Sequence, residues 1–162
     1  MTARKTQAMR LLEAKGVPYT ATVYDSSADF HSAEEAAAIL RIPPSAMYKT
    51  LIVLREAPRA KPLIVMVPSD RQLDLKALAQ ALGEKKLRMA TQREAEHLTG
   101  MQVGGISVLG LKRPAAFDIF IDDAARHLET IHISAGERGI EMAMRTADLI
   151  LLSGASFVRA TG

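Results

Sequence analysis

The sequence predicts an α+β fold, a single compact domain with a mixed β-sheet core and surrounding helices. The chain has 162 residues, which suits one domain. Hydrophobic residues make up 48% and charged residues 24%, a composition typical of a soluble globular protein with one substantial core. Predicted helices and strands follow one another without the regular β-α-β alternation of a doubly wound sheet. An α+β domain is therefore favoured over a doubly wound one.

The first 40 residues predict a helix, a strand and a second helix. Residues 3–15 have apolar side chains on one helical face, and Gly16 ends the segment. Residues 19–24 alternate small, branched and aromatic side chains, as in a strand. A capping-box pattern begins at Ser32 and predicts a helix to about Leu40, before two prolines interrupt the chain.

The middle of the chain predicts a β-hairpin followed by a helix. Residues 46–54 form an apolar, branched run, and residues 63–67 form another after a polar turn. We expect these two runs to pair. Asp74 then caps a helix that ends near Leu82 and Gly83.

The remaining elements are shorter. A second capping box begins at Thr91, and its helix ends at Gly100. The sequence further predicts strands at 87–89, 117–121, 130–134 and around Phe157, and short helices at 122–126 and 146–152.

Lys49 is the most informative single residue, because it stands at the head of an apolar strand. A lysine there either extends to solvent or directs its ammonium group into a pocket. In a pocket it can hold a carbonyl or carboxylate group. A strand-end lysine that simply reaches water is the alternative interpretation.

Two glycine-rich stretches, residues 103–107 and 134–139, are candidate loops in which backbone groups approach a ligand closely. Two tight turns are the simpler interpretation. Residues 105–110 match neither the G-x-S-x-G nucleophile motif, since Gly110 comes one residue late for the second glycine, nor the phosphate-binding loop, since Leu111 stands in place of the lysine.

Composition excludes several other chemistries. The absence of Cys excludes disulfides, thiolate zinc sites and a cysteine nucleophile, and is compatible with a cytoplasmic location. The four His residues lack metal-ligand spacing, so we predict no metal and no cofactor. No secretory segment and no apolar run of about 20 residues is present, so we expect no membrane contact.

Basic residues form small clusters on a chain of net charge +3. Lys85 and Lys86 form one cluster, and Lys112 and Arg113 another. Such clusters can contact a phosphate backbone, and these four residues are our candidates for binding a nucleic acid. Ordinary solvated surface charge is the alternative.

Four motifs in order resemble the YbaK/EbsC family, free-standing relatives of the editing domain inserted in bacterial prolyl-tRNA synthetase. The motifs are Tyr48-Lys49-Thr50-Leu51, Gln72-Leu73-Asp74-Leu75-Lys76, Val103-Gly104-Gly105-Ile106-Ser107 and the stretch 134–139. Each motif alone is weak, but the order and spacing are specific. The resemblance extends from the first helix to about Leu152.

The resemblance implies that residues 1–162 form one aminoacyl-tRNA editing domain. Such a domain hydrolyses the ester of a mischarged tRNA, with tRNA for proline carrying Cys, Ala or another small amino acid as the first candidate. Its partners would be the acceptor end of aminoacyl-tRNA and prolyl-tRNA synthetase.

By residue match, the resemblance implies that Lys49 is the catalytic lysine. The substrate-binding positions that it implies or leaves as candidates are Tyr24, Phe30, Thr50, Gly104, Gly105, Ser134, Gly136 and Glu141. Glu141 stands where the cysteine-specific branch has an aspartate.

Two other functions compete with deacylation. One is a non-catalytic tRNA- or synthetase-binding module of the same fold. The other is a small-molecule hydrolase or binding protein without an RNA partner, whose activity should not fall steeply with salt. A pocket lysine beside two glycine loops favours deacylation.

Overall fold

The strands form two sheets and the helices pack around them, as the α+β prediction requires. The computed structural model describes residues 5–24 and 32–162. Its helices are α1 (Gln7–Ala14), α2 (Ala33–Leu40), α3 (Leu75–Leu82), α4 (Gln92–Thr99) and α5 (Thr146–Ser153). Its strands are β1 (Thr20–Val23), β2 (Tyr48–Arg55), β3 (Leu63–Pro68), β4 (Leu87–Met89), β5 (Asp118–Asp122), β6 (Thr130–Ser134), β7 (Ile140–Arg145) and β8 (Ser156–Val158).

The larger sheet has five strands in the order β4-β2-β3-β5-β8. It is mixed, because β2 pairs antiparallel with β3 and β4, whereas β3 with β5 and β5 with β8 are parallel. The predicted hairpin of residues 46–54 and 63–67 is therefore confirmed. The smaller sheet is antiparallel, in the order β1-β7-β6. The two sheets meet where Met47, just before β2, bridges to His132 of β6.

Strands β2 and β3 are apolar on both faces because each face is buried in a different core. Successive side chains of a strand point to opposite faces, so alternate residues enter the two cores. Tyr48, Ile52, Ile64 and Met66 face the main core, which also contains residues of β6, β7, α1 and α5. Val53 and the odd-numbered residues of β3 face a second core that includes α3. Helix α2 forms a smaller apolar cluster with Met47 through Ala36 and Ala37.

Local capping signals in the sequence are confirmed. The side chains of Ser32, Asp74 and Thr91 accept hydrogen bonds from backbone N–H groups in the first turns of α2, α3 and α4. At Thr91 the capping box is complete, since Glu94 also accepts from the backbone N–H of Thr91. These bonds fix where each helix begins.

The sequence analysis missed strand β7. The segment Ile-Glu-Met-Ala-Met-Arg carries Glu, Ala and Met, which favour helices, although its apolar residues at 140, 142 and 144 recur with period two. Pairing with β1 and β6 on both sides overrides that local preference. The stretch 134–139 is consequently the turn of a β6–β7 hairpin, and Glu141 lies on its second strand.

Asp122 anchors the end of the chain. Its side chain is 3% exposed and accepts hydrogen bonds from the backbone N–H groups of Ala124, Ala160 and Thr161 and from the Thr161 hydroxyl. Every one of these donors is thereby satisfied within the protein.

Candidate active site

A cavity of about 320 Å³ opens along one edge of β2, between the two sheets. Strand β4 begins to pair with β2 only at Val53, and the bridge between β6 and this segment lies at Met47, just before β2. Because β4 and β6 diverge between these points, they leave a fork beside Lys49 and Thr50. Helices α2 and α4 and the first glycine loop complete the walls.

The backbone of Thr50 faces this fork. The carbonyl of Ile52 accepts from Ala90 N–H at 3.0 Å on the β4 side, so the alternation of an antiparallel ladder turns the N–H and C=O of Thr50 to the same side. No strand of residues 5–24 and 32–162 pairs with Thr50 on that side. The fork therefore offers a ligand one donor and one acceptor from the backbone.

Lys49 lies beside Thr50 and lines the same cavity. Its side chain is partly buried. In the part of the chain that the structure describes, its ammonium group makes no hydrogen bond or ion pair. A cation held at the wall of a largely apolar cavity is suited to a polarised carbonyl or a developing oxyanion.

The two glycine loops pack against each other, backbone to backbone. A Cβ on Gly105 would lie 2.6 Å from the backbone nitrogen of Arg138, so only glycine fits there. The Arg138 side chain donates to the Val103 carbonyl at 2.7 Å and ties the loops together. Gly104 has a φ of 91°, a conformation that favours glycine, and its backbone lines the cavity.

The smaller sheet supplies Glu141, Ser134 and the adjoining Tyr24. Glu141 pairs in register with Ser134 on β6, so both side chains leave the same face. Tyr24 follows β1, and its backbone N–H donates to the Gly139 carbonyl at 2.8 Å. Burial raises the pKa of Tyr24, and the nearby Glu141 raises it further.

Glu141 is buried, with 7% of its surface exposed, and its Oε2 atom has no hydrogen-bond partner among the residues described. Burial raises the pKa of Glu141 to about 8, because the ionised form would lie in an apolar wall without a compensating cation. The carboxyl group is therefore largely protonated at neutral pH.

The structure brings most of the predicted site residues together. The cavity is lined by Tyr24, Lys49, Thr50, Gly104, Ser134 and Glu141. Gly105 and Gly136 lie outside its lining, and their N–H groups bond within the loops, to the Gln102 carbonyl and the Ser134 hydroxyl. Phe30 lies outside the described residues.

The four basic residues predicted to contact nucleic acid are exposed, but the pair Lys85 and Lys86 lies apart from the pair Lys112 and Arg113. Lys85 and Lys86 precede β4 and lie beyond Arg55, at the opposite end of β2 from Lys49. Lys112 lines a separate groove with Lys5 and Arg10, on the far side of the second glycine loop, and Arg113 follows it.

Sequence reasoning missed the walls contributed by α2 and α4. Ala33 and Ala36 line the cavity from α2, while Thr91, Gln92 and Ala95 line it from the start of α4. The two capping boxes marked where these helices begin, but only the tertiary fold places both starts beside β2. Within the described ranges, no three His, Cys, Asp or Glu side chains are grouped to hold a metal ion.

Comparison with known proteins decides the family. The profile of the aminoacyl-tRNA editing domain matches residues 27–152. The chain belongs to the aminoacyl-tRNA editing domain family. The predicted resemblance is thus confirmed, and editing of aminoacyl-tRNA is the enzyme class that the sequence predicted.

Relatives of this editing domain include a protein of similar length and a much longer ligase. A protein of Enterococcus faecalis, EbsC, provisionally named a Cys-tRNA(Pro)/Cys-tRNA(Cys) deacylase, is 33% identical over 160 residues, covering 99% of this chain and 95% of that protein. The proline–tRNA ligase of Aquifex aeolicus is 25% identical over 107 residues, or 66% of this chain. The match spans only 18% of the ligase.

Solved structures confirm the fold. The crystal structure of a protein provisionally described as a trans-editing enzyme for prolyl-tRNA synthetase superposes with a TM-score of 0.79 and covers 99% of both chains at 22% identity. Among the described residues, none of the helices is both long and apolar enough to span a membrane.

Proposed function

We propose that residues 1–162 act as one trans-editing domain that hydrolyses the ester of mischarged tRNA in the cytoplasm. The first candidate substrate is tRNA for proline carrying Cys, Ala or another small amino acid. One observation carries this proposal: a small cavity in an editing-domain fold gathers the Lys49 ammonium, an unpaired strand edge at Thr50 and the loop at Gly104. This arrangement suits one small aminoacyl group at the 3′ end of a tRNA.

In this proposal Lys49 binds the ester carbonyl. When water attacks the carbonyl carbon, negative charge develops on that oxygen, and a cation held in a water-poor wall stabilises it. The Thr50 N–H, next to Lys49 in the chain, is a backbone donor that the fold leaves open, and Gly104 can add a second. The N–H groups of Gly105 and Gly136 are already bonded within the loops, so they have no part in it.

The described residues include no Ser-His-Asp or Cys-His set in the cavity. An aminoacyl ester is already reactive, so positioning of water and substrate supplies most of the catalysis. The terminal ribose carries a hydroxyl next to the ester, which can accept a proton from the attacking water while it passes its own proton to the leaving ribose oxygen. The carbon–oxygen bond to the ribose then breaks, and the products are the free amino acid and an intact tRNA.

A deacylation panel tests the proposal. Purified protein is incubated with tRNA for proline charged with Pro, Ala, Cys, Ser or Thr, and with correctly charged alanyl-, cysteinyl- and seryl-tRNA. We expect hydrolysis of at least one mischarged tRNA above the spontaneous rate, with prolyl-tRNA spared.

The same panel separates the competing functions. Binding of charged tRNA without any hydrolysis would favour a non-catalytic module. Hydrolysis of simple amino-acid esters that neither requires tRNA nor falls with salt would favour a small-molecule hydrolase.

A further inference from the structure

Glu141 combines three features that no structural role explains. It lines the cavity, it is 7% exposed, and its Oε2 atom lacks a hydrogen-bond partner among the residues described. A buried carboxyl oxygen without a partner costs the folded protein stability, on the order of 1–3 kcal/mol. A protein that retains such a group next to a cavity has a place ready for a polar atom of a ligand.

The surroundings of Glu141 favour an uncharged partner. No cation contributes to the shift of its pKa to about 8, which arises from burial. Lys49 lines the same cavity but makes no ion pair with Glu141. A neutral carboxylic acid has one O–H donor and further acceptor capacity, so a hydroxyl or thiol can both give and receive a hydrogen bond.

Much of the remaining lining is apolar, including Ala33, Ala36, Val103 and Ile106. A ligand side chain that enters this cavity displaces any water that solvates Glu141. An apolar side chain then leaves the carboxyl group unpaired, whereas a hydroxyl or thiol restores the bond. A site built around such a bond rejects a substrate that lacks the hydroxyl or thiol, because the carboxyl group of the site is then left without a partner.

We propose that Glu141 is a specificity-determining residue that hydrogen-bonds the hydroxyl or thiol of a small aminoacyl side chain. The substrate class of the cavity is then tRNA carrying serine, threonine or cysteine, in preference to alanine or proline. This inference rests on the proposed deacylase function and narrows it.

The test compares seryl- and alanyl-tRNA for proline, which differ by one hydroxyl group. We expect the wild-type protein to prefer the seryl substrate in kcat/KM by at least about tenfold, the effect of one hydrogen bond of about 1.4 kcal/mol. Glu141→Met keeps the length of the side chain but removes its polar atoms, so the preference should fall to about onefold. Glu141→Gln keeps a neutral donor and acceptor, so the preference should stay within about threefold of wild type.

Glu129→Met is the matched control, because Glu129 is exposed and immediately precedes β6, at the end opposite Ser134. It should keep the wild-type preference. A wild-type preference near onefold, or a folded Glu141→Met protein that keeps the preference, would overturn the inference. So would a Glu141→Gln protein that loses both activities equally, since that result indicates an ion pair with the α-ammonium group common to all substrates.

Failure of the inference can be told from failure of the deacylase function. Equal hydrolysis of both substrates supports the deacylase and overturns the role of Glu141. If neither is hydrolysed, calorimetry with the non-hydrolysable 3′-amide analogues of seryl- and alanyl-adenosine decides. A tenfold preference that Glu141→Met abolishes upholds the inference, and equal or absent binding overturns it.

Discussion

Two buried carboxyl groups lie in different regions of this editing domain and differ in their hydrogen bonding. At the chain end, Asp122 accepts from three backbone N–H groups and one hydroxyl. In the cavity wall, Oε2 of Glu141 has no partner among the described residues. Both side chains are less than a tenth exposed, at 3% and 7%.

The difference separates a carboxylate with a structural role from a carboxyl group that we propose to bind a ligand. Asp122 joins residues far apart in sequence, and its bonds are saturated before any ligand arrives. Glu141 leaves bonding capacity open in the wall of a cavity that a small molecule can enter. We therefore expect substitutions near the cavity to change activity more than stability, and substitutions at Asp122 to do the reverse.

Lys49→Ala should show the largest effect. Removal of one preorganised donor from an active site costs about 10²–10³ in rate, and we expect a loss of that size in single-turnover deacylation. The melting temperature should change little, because a partly buried lysine contributes less to the core than its apolar neighbours. Lys49→Arg should rescue poorly, since a planar guanidinium does not replace a compact ammonium.

Lys76→Ala is the matched control, because Lys76 is exposed on α3. It should leave both rate and melting temperature near wild type. A folded Lys49→Ala protein with near-normal turnover would make Lys49 a strand-end lysine that only reaches solvent.

Asp122→Ala should come next and act on stability. Loss of the carboxylate leaves two buried backbone N–H groups unpaired, which costs about 3 kcal/mol in the free energy of unfolding. Urea denaturation measures this loss, while kcat/KM of the folded fraction should stay within about twofold of wild type. Asp123→Ala, at the neighbouring and more exposed position, should cost much less. Equal costs for the two variants would contradict the structural role of Asp122.

The pH dependence of the free energy of unfolding should reveal the raised pKa of Glu141. Its folded pKa of about 8 lies above the ordinary value of 4.5 that applies to the unfolded chain. Between these values the folded protein keeps the proton that the unfolded chain has released, so stability falls as pH rises, by up to about 1.4 kcal/mol per pH unit. Below pH 4.5, where both the folded and the unfolded chain hold the proton, this loss of stability is absent.

Urea unfolding at pH 5.5 and pH 7.5 measures the effect, with Glu141→Gln as the reference that cannot titrate. From pH 5.5 to pH 7.5 the unfolding free energy of wild type should fall relative to that of Glu141→Gln. A difference independent of pH would show that Glu141 ionises normally, and the contrast with Asp122 would then rest on hydrogen bonding alone.

Charge reversal in the basic clusters should have the smallest effect. Lys112→Glu with Arg113→Glu should raise KM for charged tRNA several-fold, because Lys112 lies in a groove that shares the second glycine loop with the site. Each lost phosphate contact should reduce the slope of binding against salt by about one. Lys85→Glu with Lys86→Glu lies at the far end of β2 and should have less effect. A larger effect there would mean that the tRNA runs along the other side of the domain.

Local signals in the sequence predicted much of the fold. The hairpin of β2 and β3 followed from two branched apolar runs around a polar turn, and capping side chains located the starts of three helices. These features depend on residues close together in the chain, where pattern and conformation agree.

The features that a linear pattern could not provide all depend on distant contacts. Strand β7 carries helix-favouring residues and is held as a strand by partners on both sides. Asp122 was not a candidate residue at all, because its partners Ala160 and Thr161 are 38 and 39 positions away. Lys49 was found because a charged residue breaks an apolar strand, whereas the open carboxyl of Glu141 could be recognised only with the cavity in place.

The fork beside Thr50 also bears on self-association. An exposed strand edge is a template on which other chains can pair, and aggregation often begins there. Here the open stretch of β2 is closed at one end by β6 at Met47 and at the other by Ala90. A foreign strand needs several successive residues to pair, and only residues 48–51 lie between these two contacts. The protein thus leaves main-chain hydrogen-bonding groups of β2 unpaired only over a stretch too short for another polypeptide strand to extend the sheet there.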